Sequence, residues 1–166
     1  MYQLSWRGGG SPFYPVGDTM VSQAGEAVSL LGDVRSVLSD VKQSDALVCI
    51  SSRTDEPAWA RELLQKFRIE PADDDAFALE DVFDVVEISK DDKRYHFERI
   101  REATGLAFED MVFFDNEYGN CRDISSMGVT VGYCPEGVTS DVYQAAMAAF
   151  PAPAGAIVGA DKYGMW

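Results

Sequence analysis

Apolar positions along this chain follow two rhythms. Ala46-Leu-Val-Cys-Ile50, Phe83 to Ile88, Met111-Val-Phe-Phe114 and Val129-Thr-Val131 are short runs of strand length. Runs with little alternation suit strands covered on both faces, as in parallel sheets. Between them, apolar residues recur at three- and four-residue spacing, the mark of an amphipathic helix. Val34, Val37, Leu38 and Val41 form one such stripe within Gly32–Val41, and Trp59, Leu63, Leu64 and Phe67 form another within Glu56–Phe67. Phe97, Ile100 and Ala103 mark a helix from Lys93 to Thr104, with Gly105 as its C-cap. Two more helices are expected over Asn116–Met127 and Val142–Phe150.

Strand and helix patterns alternate four times, which predicts an α/β fold with a mostly parallel sheet between helical layers. Thr19–Leu31 reads as a small hairpin, and Ile69–Ala78, with Asp73-Asp-Asp75, as a solvated acidic loop. The Gly-, Pro- and aromatic-rich residues 1–18 have neither period and read as a loop, in which Trp6 and Tyr14 serve either as a pocket mouth or as loop anchors. Residues 1–150 read as a single domain, and the small-residue-rich 151–166 as a flexible tail.

Ligands of open α/β sheets gather at the carboxyl ends of the strands, and three strand ends here carry candidate chemistry. Ser51-Ser-Arg-Thr54 follows Ile50; its hydroxyls and amides suit phosphate oxygens, or serve to cap the helix beginning near Glu56. Lys90-Asp-Asp-Lys93 follows Ile88. A lysine there neutralises a phosphate dianion, or is simply a solvated charge at a helix start, where it opposes the dipole. Asp115-Asn116 ends the Met111 run, with Asn120 and Asp123 further along the next helix. A carboxylate at a buried strand end requires a partner. Mg²⁺, with its preference for hard oxygen ligands and retained waters, suits Asp115 as a ligand, with Asn116 or Asn120 orienting waters. Capping of the helix is the alternative. His96 is expected on the exposed side of the Lys93 helix.

Composition narrows the partners. With 28 acidic and 14 basic residues the net charge is −14, which disfavours nucleic acid, while a locally basic pocket would still admit a small phosphorylated ligand. No apolar run is long enough to span a bilayer, and no basic-then-apolar segment opens the chain. Cys49, Cys121 and Cys134 are odd in number and widely spaced, as expected of free thiols in a reducing, cytoplasmic setting. One histidine by itself makes neither a histidine-based metal site nor a Ser-His-Asp triad.

The order serine, lysine, aspartate along the strand ends resembles the haloacid-dehalogenase-like (HAD) phosphatases, and within them the magnesium-dependent phosphatase family. The resemblance rests on Ser52-Arg-Thr54, Lys93 with Tyr95-His-Phe-Glu-Arg99, Val112-Phe-Phe-Asp-Asn116 with Asn120, Gly128-Val-Thr130 and Pro135-Glu-Gly137, and covers roughly Leu31 to Val142. It implies a HAD-like, Rossmann-like three-layer sandwich and Mg²⁺-dependent hydrolysis of a phosphomonoester, either a small metabolite or phosphotyrosine, through an aspartyl-phosphate. Ser52 and Arg53 would bind the phosphoryl group, Lys93 would be the catalytic cation, and Asp115 would ligate Mg²⁺ with Asn116 and Asn120 behind it.

One departure is large. The family's first motif, an apolar strand ending in Asp-x-Asp that supplies nucleophile and acid/base, is missing. Asp18 follows Tyr-Pro-Val-Gly and has no second acid two residues away, and residues 1–18 resemble what normally follows the motif. The resemblance places the missing strand centrally, so its loss would leave neighbours about 10 Å apart, twice the pairing distance, with unpaired backbone groups. The expectation is an N-terminally incomplete, poorly stable and inactive chain. The alternatives are a non-catalytic HAD-like module that binds a phosphorylated ligand or protein, and a phospho-receiver domain, which would need an acidic pair that is also missing.

Overall fold

The computed structural model describes residues 9–70 and 75–164, which divide into two compact units at Lys90/Asp91. Trp6 and Asp73-Asp74 lie outside the described residues.

The first unit opens with a three-stranded antiparallel sheet, β1 (Tyr14–Val16), β2 (Thr19–Val21) and β3 (Ala27–Val28). The expected hairpin thus gains a strand from the segment read as a loop. The anchor of that segment is Phe13, which is fully buried and meets the Trp59 ring edge-on at 6.3 Å. Its amide donates to Glu62 Oε1 at 2.9 Å, and the Lys66 ammonium donates to its carbonyl at 2.6 Å. A buried ring among glycines and prolines has no period to display, so its burial is invisible in the pattern. Tyr14 is 55% exposed, with the Lys66 ammonium 5.9 Å from its ring centroid.

Helix α1 (Val34–Lys42) buries Val34 and Val37, and β4 (Cys49–Ser52) runs parallel to β7 (Val85–Ile88). Strand β4 begins later than the apolar run suggests. Leu47 is exposed, and Val48 is held by Asp84, whose carboxylate accepts from the Val48 amide at 2.8 Å while the Asp84 amide donates to the Val48 carbonyl at 2.8 Å. Ser51 and Ser52 are therefore strand residues and not part of the turn. Helix α2 (Pro57–Lys66), with proline in its first turn, buries Leu63 and Leu64 against Phe67, Ile50 and Ile88. Part of the expected acidic loop is ordered as a hairpin of β5 (Arg68–Ile69) and β6 (Phe77–Ala78), followed by a 3₁₀ turn over Leu79–Val82. Ile69 and Leu79 are buried there, which explains why the chain returns to the core.

In the second unit α3 (Lys93–Thr104) begins at Asp92, whose carboxylate accepts from the Tyr95 amide at 2.9 Å, and ends at Gly105 with φ 74°. A parallel sheet of order β10-β9-β8 follows, built from β8 (Val112–Asp115), β9 (Thr130–Tyr133) and β10 (Ile157–Val158). Helix α4 (Tyr118–Ser125) packs on all three strands, and α5 (Ser140–Ala149) on β9 and β10. Side chains alternate along β8. Phe113 meets Phe97 of α3 at 5.0 Å, and Phe114 meets Tyr143 of α5 at 6.0 Å. Phe114 also lies over Gly132, where a Cβ would come within 2.7 Å of its ring, so that position of β9 needs a residue without a side chain. The expected flexible tail instead supplies edge strand β10 and a 3₁₀ turn, Ala160–Tyr163, with Ala160 buried. Ile157 and Val158 were hidden among small residues, and pairing with β9 is what orders them.

The molecule is α/β with parallel sheets, and five α-helices lie among the described residues. No helix among them is long and apolar enough to cross a membrane.

Candidate functional site

Strand β8 delivers Asp115 to its carboxyl end because three apolar residues, Val112, Phe113 and Phe114, occupy the strand before it. Alternation puts Asp115 on the same face as Phe113, which is the face lined by α3 and α4. Lys93, the first residue of α3, reaches across that face. Its ammonium lies 3.2 Å from Asp115 Oδ2 and 5.4 Å from the Phe113 ring centroid. The two side chains are only 7% and 9% exposed, so this ion pair is largely removed from water.

Two further donors hold the carboxylate. Asn120 Nδ2 donates to Oδ2 at 3.2 Å from within α4, and the Glu117 amide donates to Oδ1 at 2.7 Å. The latter bond means that Asp115 also braces the turn into α4, as the capping alternative expects. It also explains why α4 starts at Tyr118 and not at Asn116, which is exposed. The Asp115 carbonyl accepts from Cys121 Sγ at 3.5 Å and from the Cys134 amide at 3.0 Å. Burial, aided by the nearby Asp115 charge, pushes the Cys121 thiol up to about 12.

Lys93 at a helix start opposes the helix dipole, and the buried carboxylate beside it offsets that cost. Its burial follows from spacing. Lys93, His96, Phe97 and Ile100 are all buried and stand at i, i+3, i+4 and i+7, a complete inward stripe. The expectation of an exposed His96 is therefore overturned, since the residue is 0% exposed. Ala103, assigned to the apolar face, is exposed. The polar character of Lys93 and His96 masked the true stripe.

Lys90 is exposed and pairs with Asp55 at 3.1 Å. Asp123 lies 3.8 Å from Arg94 of α3 and 3.6 Å from Arg122. Ser52 closes β4 in the first unit, its carbonyl accepting from the Ser89 amide at 3.1 Å, and the exposed Arg53 follows it. The second unit thus brings together Lys93, Asp115 and Asn120. Tyr118 and Tyr133, not selected from the sequence, stand at the same strand ends with rings 5.6 Å apart.

Asp115 and the Asn120 amide are the hard donors expected around a small divalent cation. Among the described residues no three His, Cys, Asp or Glu side chains cluster as a metal cage.

Comparison with known proteins identifies the family. The pattern of the acid phosphatase family matches residues 3–152. Magnesium-dependent phosphatase 1 of Homo sapiens is 34% identical over 128 residues, which cover 76% of this chain and 67% of the human protein. A HAD-like hydrolase superfamily protein of Schizosaccharomyces pombe is 27% identical over 123 residues, or 72% of this chain and 70% of that protein. The chain belongs to the acid phosphatase family and, with these relatives, to the magnesium-dependent phosphatases of the HAD superfamily.

Proposed function

We propose that this chain binds the phosphoryl group of a small phosphomonoester or a phosphotyrosine, together with Mg²⁺, at the carboxyl end of β8, and that as it stands it does not turn that ligand over. The reading is carried by the buried Lys93–Asp115 pair with Asn120 at 3.2 Å from the same carboxylate oxygen. An ammonium beside a carboxylate with oxygen atoms to offer suits an anion that arrives with a divalent cation.

Asp115 would hold the metal, with Asn116 and Asn120 orienting its waters. Mg²⁺, when bound, would polarise a phosphoryl oxygen. The Lys93 ammonium would neutralise charge on the phosphoryl oxygens, the electrostatic contribution on which phosphoryl transfer mostly depends. Ser52 and Arg53 keep the phosphate-binding role that the family resemblance gives them. A central strand carrying Asp-x-Asp belongs to the HAD-like sandwich proposed for the family, and no apolar strand of this chain ends in that motif. Asp115 does not fill the vacancy left by the nucleophile, because in this reading it is the metal ligand. The three free thiols support a reducing, cytoplasmic setting.

The test is hydrolysis of p-nitrophenyl phosphate with and without Mg²⁺. No turnover above the Asp115→Ala background is expected. Mg²⁺-dependent turnover that disappears in Asp115→Ala would overturn the proposed inactivity.

A further inference from the structure

The end of β8 that lies away from Asp115 carries an open groove of about 530 Å³, lined by Glu109, Asp110, Phe150, Pro151, Ala152 and Pro153. One wall is the 3₁₀ turn Phe108–Asp110 that leads into β8, and the other is the segment that leaves α5. Asp110 and Asp115 are five residues apart along extended chain, roughly 16 Å, so the groove is separate from the phosphoryl site.

Thr130, 0% exposed, ties the two walls together. Its amide donates to the carbonyl of Met111, directly after Asp110, at 3.0 Å, and its hydroxyl accepts from the Ala152 amide at 2.9 Å. The Asp110 and Met111 amides close the 3₁₀ turn on the Ala107 and Phe108 carbonyls at 3.0 and 3.1 Å. A concavity held in this way exists before any ligand arrives, which lowers the cost of binding.

The chemistry of the groove is one-sided. Pro151 and Pro153 have no N–H. The amides of Ala152, Asp110 and Phe150 are engaged by Thr130, Ala107 and Met147. What the lining offers is the Phe150 ring, 37% exposed, the proline rings, and two exposed carboxylates that form no ion pair among the described residues. Such a surface opposes anions and suits a cation with many N–H donors and a flat face. Arginine has all of these: a permanent charge, a planar fork of donors, and a face that stacks on rings. The chain makes this arrangement once within itself, where the Arg101 guanidinium lies 4.9 Å from the Phe108 ring centroid and bonds Glu98 at 2.9 Å. Met147, one turn before Phe150 and 43% exposed, carries apolar surface on past the groove, which suits a length of polypeptide and not a free amino acid. The net charge of −14 draws basic partners and opposes a second copy of the chain.

We propose that this groove docks an arginine-bearing segment of a partner protein, with Glu109 and Asp110 pairing the guanidinium and Phe150 taking its face, at the opposite end of β8 from Asp115. The partner is thereby held while the phosphoryl site stays open.

Blocked hexapeptides that alternate alanine with arginine, lysine or citrulline test it by NMR titration of the whole chain. The arginine peptide is expected to shift the amide signals of Glu109, Asp110 and Ala152 and the ring signals of Phe150, and to leave Lys93 and Asp115 unmoved. It should bind about two- to fivefold tighter than the lysine peptide, the gain from stacking on an exposed ring. The citrulline peptide, planar but uncharged, should not bind. Glu109→Gln with Asp110→Asn should abolish the shifts, and Phe150→Leu should remove the preference over lysine while keeping weaker binding. An unchanged Thr130 amide signal reports that the walls stay joined in each variant. Equal affinity for the arginine and lysine peptides, shifts scattered over the acidic surface, or shifts that survive in the double variant would overturn the proposal. So would self-association of the chain alone that the double variant abolishes.

Discussion

Replacing Lys93 by methionine removes one charge from a pair that water barely reaches, and the structure sets the size of the effect. The ammonium and Asp115 Oδ2 are 3.2 Å apart, with side chains 7% and 9% exposed. At an effective dielectric constant of about 20 the attraction across that distance is about 5 kcal/mol. The loss is reduced because the carboxylate keeps the Asn120 amide and the Glu117 backbone donor. Removal of one partner from a buried pair costs about 3–5 kcal/mol, and the two surviving donors argue for the lower end, about 3 kcal/mol. That corresponds to roughly a 150-fold shift in the folding equilibrium. Methionine matches the lysine stem in length, so the change isolates the charge. Urea unfolding followed by circular dichroism measures it, with the midpoint expected to fall by about 1–3 M. Lys93→Met with Asp115→Asn should recover at least about 2 kcal/mol, because no buried charge is then left unpaired. A loss in Lys93→Met below about 1 kcal/mol, or no recovery in the double variant, would refute the buried pair as the organising interaction of the rim.

Other consequences are as direct. Phe13→Ala should cost about 3–5 kcal/mol in the same urea assay, because a fully buried ring is removed from the first unit; a loss of under about 1 kcal/mol would contradict its role as anchor. Burial pushes the thiols of Cys49 and Cys134 up to about 11 and that of Cys121 to about 12, from an ordinary 9.0. Folded thiols that hold their protons more tightly than unfolded ones stabilise the fold below pH 9, and that contribution disappears as pH rises through 11 to 12. Stability should therefore decline across this window and decline less steeply in Cys121→Ala, while a profile identical in the two proteins would speak against a buried neutral thiol.

Much of this was legible in the sequence, where period and residue type agreed. The Met111 run ending in Asp115, the α3 helix with its Gly105 cap, and the α2 stripe of Leu63, Leu64 and Phe67 all declared themselves by apolar spacing. Legibility failed where a polar residue took an apolar position. Lys93 and His96 complete the buried stripe of α3, but their side-chain types suggest solvent. It failed again where the element was too short to have a period. Strand β10 has two residues and β1 three, and both are fixed by neighbours brought to them by the fold. The ring contacts of Tyr133 with Tyr118 and Tyr163 had no sequence signal, because these residues meet only through strand register and the Ala160–Tyr163 turn.

Metal binding at Asp115 is most directly examined with Mn²⁺, a paramagnetic ion with the same taste for hard oxygen ligands as Mg²⁺, added in trace amounts to the chain while its NMR amide signals are followed. Selective broadening of residues 113–120 that is relieved by Mg²⁺ and absent in Asp115→Asn is the expected result. Broadening confined to the acidic surface and identical in Asp115→Asn would contradict a metal site at the end of β8.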